Sequence, residues 1–290
     1  HLHAAHFNHQ LRGEESQRDE TFVTEWCEKR NIPLIIGQGD VAQEAKAQGK
    51  GVEETARAMR YGFLTQAAQD LGADKLATAH HADDNAETVL LHLVRGAGLD
   101  GLTGIPPVRG ILIRPLLAIP QSDIAAYLEQ EGIPHVEDSS NFDLTYARNR
   151  LRQEVVPVLQ ELNPAFISTL TANLDHLRED RDLLEGMAQR AIQEARVTEG
   201  RGSIPASTLA ALDHPIAVRA VKLLLAKVEY YQISSVHLDQ ILALAASTSP
   251  SASHNLPGDL FVWREYDRLV MSPAANMPAA FSLRLITGPG

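Results

Sequence analysis

The feature that most limits the fold is an alternation: through the first half of the chain, short apolar runs take turns with segments long enough to be helices, and then the alternation stops. Residues 2–7, 33–36, 75–79 and 111–113 are short, mostly apolar and bounded by polar or turn-forming residues, which predicts strands. Residues 14–30, 51–71, 82–93 and 120–131 are predicted helices. Ala56, Met59, Phe63 and Leu64 fall near helical spacing in the second of these, and Gly132 ends the last. Strands alternating with helices predict an α/β domain: a parallel sheet with helices on both faces.

After about residue 141 the strand signal fades. Residues 145–161, 164–196, 205–212, 215–228 and 236–246 are predicted helices. Residues 247–253 are rich in Ser, Thr and Pro and predict a loop; residues 259–262 and 268–271 predict a small hairpin, and the Pro/Ala/Gly-rich tail after residue 273 a loose end. A chain of 290 residues suits more than one domain. The expected divisions are 1–143 for the α/β domain, 144–250 for a mainly helical second domain, and 251–290 for the hairpin and tail.

Composition narrows the partners. The formal net charge is −11, which opposes non-specific nucleic-acid binding. An RNA partner would have to be met by local arginine clusters, and two exist: Arg57 with Arg60, and Arg148, Arg150 and Arg152. The single cysteine, Cys27, excludes an internal disulfide, a cysteine-bound iron–sulfur cluster or a four-cysteine zinc site within these residues, and fits a reducing compartment. Its helical setting makes a small buried residue the simpler role. No run of eighteen apolar residues predicts a membrane-spanning helix, and no signal peptide is visible. The chain opens at His1 rather than Met and enters a predicted strand almost at once, so a fragment boundary is the expectation there and an upstream leader stays open.

In an open parallel sheet, ligands bind beyond the carboxyl ends of the strands. That rule points to Asn8, His9 and Arg12 after the first strand, and to His80, His81, Asp83, Asp84 and Glu87 after the third. Asp84 and Glu87 are three apart and share one helix face near its N-terminus, where the helix dipole keeps carboxylates ionised. Such a pair suits a magnesium ion or an ammonium group. The simpler alternative is a helix cap with first-turn acids. Zinc is a weaker fit, because His80 and His81 lack the four-residue spacing of a helical histidine pair.

Three further sets stand beside this one. Gly96, Gly98, Gly101 and Gly104 either bring backbone close to a ligand or end a helix. Glu53, Arg57, Arg60 and Tyr61 lie along one helix, where Glu53 and Arg57 could simply pair. Asp138-Ser139-Ser140-Asn141, followed by Tyr146, Arg148, Asn149 and Arg152, is either a polar cap with exposed arginines or a phosphate-facing set.

Taken in order, these stretches resemble the catalytic domain of the tRNA(Ile)-lysidine synthetases. The matching residues are 6–12 (HFNHQLR), 53–64 (EETARAMRYGFL), 78–104 (TAHHADDNAETVLLHLVRGAGLDGLTG), 114–117 (RPLL) and 138–157, about half the chain. Leu256-Pro257-Gly258 and Arg264-Glu265-Tyr266 are similar to the domain that follows in that family. The resemblance implies an N-type ATP pyrophosphatase with an adenine nucleotide alpha hydrolase-like, Rossmann-like fold. It implies an enzyme that uses ATP and Mg2+ to adenylate the wobble cytidine of an isoleucine tRNA with a CAU anticodon at its C2 oxygen. The amine of free lysine then displaces AMP to form lysidine.

Carried over residue by residue, it implies catalytic roles for His80, Asp84, Glu87, Arg60 and Arg148. It implies nucleotide contacts at Asn8, His9, Arg57, Arg60, Gly96 and Gly98, tRNA contacts at Arg12, Asn149 and Arg152, and metal at Asp83 and Asp84. The implied partners are tRNA(Ile) and free lysine, in the cytoplasm and away from membranes, with a homodimer compatible.

Two departures stand out. The family's Ser-Gly-Gly-x-Asp-Ser phosphate loop is absent from these residues. It is expected upstream of His1, with a preceding strand, and without it the chain is expected to be nearly inactive. Asn85 stands where the family usually has Gln. A further C-terminal domain, where longer members have one, would lie beyond Gly290. The alternatives are a related tRNA-thiolating ATP pyrophosphatase and a non-catalytic tRNA-binding remnant.

Overall fold

The computed structural model describes residues 1–136, 143–198, 200–231, 233–247, 249 and 252–273. The expected Asp138–Asn141 motif and the tail after residue 273 lie outside them. The chain divides into two compact units, His1–Asp175 and His176–Gly290. Among the described residues no helix is long and apolar enough to cross a membrane.

In the first unit, β1 (Ala4–Asn8) leads through α1 (Glu14–Lys29) to β2 (Leu34–Gln38), and the two strands pair in parallel from Ala4↔Leu34 to Asn8↔Gln38. Branched Ile35 and Ile36 favour the extended chain. Gly37 is required for packing: a Cβ there would stand 2.5 Å from the Phe63 ring. Two helices follow, α2 (Val41–Gln48) and α3 (Val52–Asp70). The first is set by Asp40, whose carboxylate accepts the Gln43 N–H at 2.9 Å, and it stops at Gly49 in the left-handed region with φ 64°.

Next, β3 (Leu76–Ala77) hands the chain directly to α4 (Ala82–Val94). After the short turn α5 (Leu99–Leu102), β4 (Val108–Arg109) pairs antiparallel and β3 parallel with β5 (Leu112–Ile113). The helix α6 (Gln121–Gln130) closes this part. The described strands of this unit form two sheets, β1-β2 and β3-β5-β4. Residues of β1 and β3 line the same groove.

The predicted helix over residues 145–161 is divided. It consists of α7 (Ala147–Arg150), a π-helical turn at Leu151–Val155, and α8 (Val156–Leu162), with Pro157 at the second position of α8 where it displaces no helix hydrogen bond. The helix α9 (Phe166–Ala191) follows, and the boundary between units falls inside it. Ala82 and Ala86 of α4 pack with Val156 of α8 and Ile167 of α9, so the small residues of α4 seat it against the helices that directly follow the segment carrying Arg148 and Arg152.

The second unit is helical as predicted at α10 (Ala206–Ala210), α11 (His214–Lys227) and α12 (Ser235–Ala246). The predicted hairpin is instead part of a larger sheet. Five strands, β6 (Arg196–Thr198), β7 (Arg201–Pro205), β8 (Ser253–Leu256), β9 (Leu260–Glu265) and β10 (Arg268–Pro273), form one antiparallel sheet in the order β6-β7-β10-β9-β8. The fully buried Leu224 and Val221 of α11, Ile241 of α12 and Ile204, Leu260 and Leu269 of the sheet make its core. Removing one such leucine side chain costs about 2–5 kcal/mol.

Candidate functional site

The first unit builds its site where β3 ends. His81 is the N-cap residue of α4 in extended conformation: its imidazole Nδ1 accepts the Asp84 N–H at 3.4 Å, and Asp84 Oδ2 accepts the His81 N–H at 3.0 Å. This reciprocal cap fixes the first turn of α4 and, with it, the direction of its acids. Asp83 points elsewhere. Its Oδ2 accepts the Gln121 N–H at 2.7 Å, at the start of α6, and lies 3.6 Å from His81 Nδ1.

Glu87, one turn along, is 1% exposed, and it meets two arginines from far along the chain. Arg148 Nε donates to Glu87 Oε2 at 2.8 Å; Arg152 donates through Nε to Oε1 at 2.6 Å and through Nη2 to Oε2 at 3.1 Å. Arg148 Nη2 also donates to the Asp84 carbonyl at 3.1 Å, and both guanidiniums stand 3.5 Å from Asp84 Oδ1. The spacings explain the meeting: Asp84, Glu87 and Thr88 share a face of α4, and Arg148 and Arg152 are four apart on theirs. A carboxylate this buried needs such partners, because stripping one partner from a buried pair costs about 3–5 kcal/mol.

Two cavities adjoin this cluster. One, about 750 Å³, is lined by residues at the carboxyl end of β1 (Phe7, Asn8, His9, Arg12) and by Arg60, Tyr146, Arg148 and Asn149. The other, about 790 Å³, is lined by Arg57, Arg60, His80, Asp84 and Arg148 together with residues of β1 and β3. Arg60 and Arg148 therefore border both. Burial first, then the neighbouring cations Arg57 and Arg148, press the Arg60 pKa below its ordinary value, against the opposing pull of Tyr61. A cation cluster of this kind favours an incoming anion.

His80 donates to or accepts from Thr78 Oγ1 at 2.9 Å through Nδ1. Burial first, then Arg114, Arg57 and Arg148 against the opposing pull of Asp84, lower its pKa to about 4, so the ring is neutral at pH 7. For His81 burial also pulls downward, but the nearby carboxylates of Asp83, 3.6 Å from Nδ1, and Asp84 win and raise it.

The structure thus brings Arg57, Arg60, His80, Asp84 and Arg148 to one cavity and Asn8, His9, Arg12, Asn149, Arg60 and Arg148 to the other. Several already have internal partners. Asn8 Nδ2 donates to Glu20 at 2.8 Å, Arg12 pairs with Asp19 at 2.8 Å, and Asn149 Nδ2 donates to the Asp143 carbonyl at 2.8 Å. Gly96, with φ 75°, follows the C-cap residue of α4, and Gly98 is the N-cap residue of α5; neither is among the residues lining the two cavities.

Arg114, 5% exposed just after β5 and bonded through Nη1 to the Pro106 carbonyl, is a charged neighbour of His80 that sequence reasoning had only as part of a matching stretch. The signal was its place immediately after a strand.

A magnesium site at Asp83 and Asp84 does not fit this arrangement. Asp83 is turned to the start of α6, and Asp84 faces two guanidiniums that compete with a divalent cation. Among the described residues no group of three or more His, Cys, Asp or Glu side chains could hold a metal ion. The arginine cluster does fit a polyphosphate, through fork-shaped contacts.

An α/β unit with cations and acids gathered past its strand ends has its side chains where such folds place their ligands. The chain belongs to the PP-loop domain family, whose model, ATP_bind_3, matches residues 1–159. A second model, the TilS substrate binding domain, matches residues 205–270. A tRNA(Ile)-lysidine synthase of Geobacter sulfurreducens is 37% identical over all of this chain and 63% of its own length. A "Bifunctional protein TilS/HprT" of Listeria monocytogenes is 35% identical over 92% of this chain and 42% of its own length. A tRNA(Ile)-lysidine synthase of Parabacteroides distasonis is 38% identical over 70% of this chain and 46% of its own length. The chain spans less than two thirds of the length of each.

Proposed function

We propose that this chain is the part of a tRNA(Ile)-lysidine synthetase that brings an adenylated cytidine and a lysine amine together. The single observation behind the reading is the convergence of Arg57, Arg60, Arg148, His80 and Asp84 on one cavity at the end of β3. The order of events follows from the chemistry. The C2 oxygen of the wobble cytidine attacks the α-phosphorus of ATP, and pyrophosphate leaves. The amine then attacks C2, the C2–O bond breaks, and AMP departs with that oxygen.

Arg57, Arg60 and Arg148 hold the phosphates and offset the charge that builds on them. Asp84 draws the lysine ammonium into the cavity. His80 acts as a neutral hydrogen-bonding group: with a pKa of about 4 it is too weak to take the proton of a free ammonium, whose ordinary pKa is about 10.4. Asn8 and His9 line the nucleoside side, and Arg12, Asn149 and Arg152 face the tRNA. Residues 205–270, by their family match, add contacts to the tRNA. The protein works in the cytoplasm, with a homodimer compatible. A thiolase reading has little to stand on, since the one cysteine, Cys27, is buried in α1.

The test uses the whole protein that contains this sequence, ATP, isoleucine tRNA with a CAU anticodon, and labelled lysine. Wild type should transfer label to the tRNA, and Asp84→Asn should reduce transfer by about a hundredfold or more, as loss of a key electrostatic contact does. Transfer at the wild-type rate in that variant would sink the assignment.

A further inference from the structure

We infer that Glu87 is a positioning residue: a buried anchor, clamped by Arg152, that aims Arg148 at the crevice, leaving Asp84 as the carboxylate that meets the incoming amine. The inference deepens the proposed function and rests on it. Three observations separate the two acids. Asp84 lines the second cavity and its side chain is 17% exposed, whereas Glu87 is 1% exposed and is not among the lining residues. Both Glu87 oxygens accept charge-assisted bonds, Oε1 from Arg152 at 2.6 Å and Oε2 from Arg148 at 2.8 Å and Arg152 at 3.1 Å.

By contrast, Asp84 Oδ1 is approached by the same guanidiniums only at 3.5 Å. An ammonium bound at Glu87 would have to displace two planar guanidiniums from a carboxylate that water cannot reach, and one ammonium cannot replace their fixed geometry. Arg148, held through Nε by Glu87 and through Nη2 by the Asp84 carbonyl, borders both cavities. The lock therefore fixes the orientation of the cation that stands between them.

The test crosses two probes with three variants. Inorganic pyrophosphate binding is followed by calorimetry and radiolabelled lysine by equilibrium dialysis. Glu87→Gln should weaken pyrophosphate by about tenfold, the scale of a lost charge-assisted bond, and leave lysine within about twofold. Asp84→Asn should do the reverse. Glu87→Asp keeps the charge and should recover part of the pyrophosphate affinity, a rescue that a purely structural role would not track. Loss of lysine with pyrophosphate retained in Glu87→Gln overturns the inference.

Isotope-labelled arginine gives an independent arm that needs no ligand. Two slowly exchanging Nε–H signals should persist in wild type and Asp84→Asn and vanish in Glu87→Gln; their absence from wild type overturns the inference too. Lysine retained by Asp84→Asn would refute the lysidine reading alone, while the arginine signals still decide Glu87.

Discussion

His80 makes the acid response of the protein a single-residue question. The folded state holds its pKa near 4, below the ordinary 6.5, through burial first and then the nearby arginines. The unfolded chain therefore binds more protons between about pH 6.5 and 4, and stability falls as pH drops through that window. With the ring half buried, solvent screening cuts the full conversion to about 1–2 kcal/mol. His81, with a raised pKa, runs the other way: its contribution is complete below its unfolded pKa and is lost as pH rises through the folded one. His80→Asn should flatten the acid limb in urea unfolding measured across the window; a limb of unchanged slope would assign it to other groups. The residue types of this site were legible in sequence, because acids and histidines at a strand-to-helix junction announce chemistry. What could not be read was that Glu87 lies 1% exposed beneath two arginines more than sixty positions away. Burial and pairing over that separation belong to tertiary packing, and Asp84 and Glu87 look alike until it is known.

At the scale of elements, α4 is tied to the loop after α5 by one buried amide. Asn85 Oδ1 accepts the Ile105 N–H at 2.7 Å, and its buried Nδ2 has no hydrogen-bond partner among the described residues. Gly104 sits against that amide with φ 69°, where a Cβ would collide with Asn85 Oδ1. Gly104→Ala therefore meets both a left-handed backbone and a locked neighbour, and should cost about 2 kcal/mol or more. Thermal or urea unfolding measures it; a loss under about 0.5 kcal/mol would show that the loop yields freely. The long periodic elements α1, α3, α4, α11 and α12 were legible, since their apolar residues repeat at helical spacing. α2 was not, because only Val41 and Ala45 are buried in a run of Ala, Gln, Glu and Lys. Nor were β6 and β7. Arg196-Val197-Thr198 is exposed throughout, and β7 contains Gly202 and Pro205, residues that usually argue against a strand. Gly202 is there because Val228 and Leu224 pack within 3.1–3.2 Å of where its Cβ would be, a reason visible only in three dimensions.

For the whole molecule, the proposed RNA partner raises the question of how a chain of net charge −11 would hold it. Long-range repulsion acts over the Debye length, about 10 Å at 0.1 M salt, and weakens as salt rises. Contacts between arginines and phosphates behave oppositely, since each releases a counterion and is lost with salt. Of the two arginine clusters, Arg148 and Arg152 are partly neutralised by Glu87, whereas Arg57 and Arg60 stack near Tyr61, at 4.9 and 5.7 Å, and line an open cavity. Few cations are thus free to meet the backbone, and the slope of log affinity against log salt for isoleucine tRNA should be shallow, about −2 to −3. Arg12→Gln, at a position assigned to the tRNA, should reduce the magnitude of that slope by about 0.7–0.9, one contact, and lower affinity most at low salt. Filter binding across a salt series measures both numbers. A slope near zero that the substitution leaves unchanged would mean that the acidic bulk governs the encounter and that this arginine does not touch the RNA backbone.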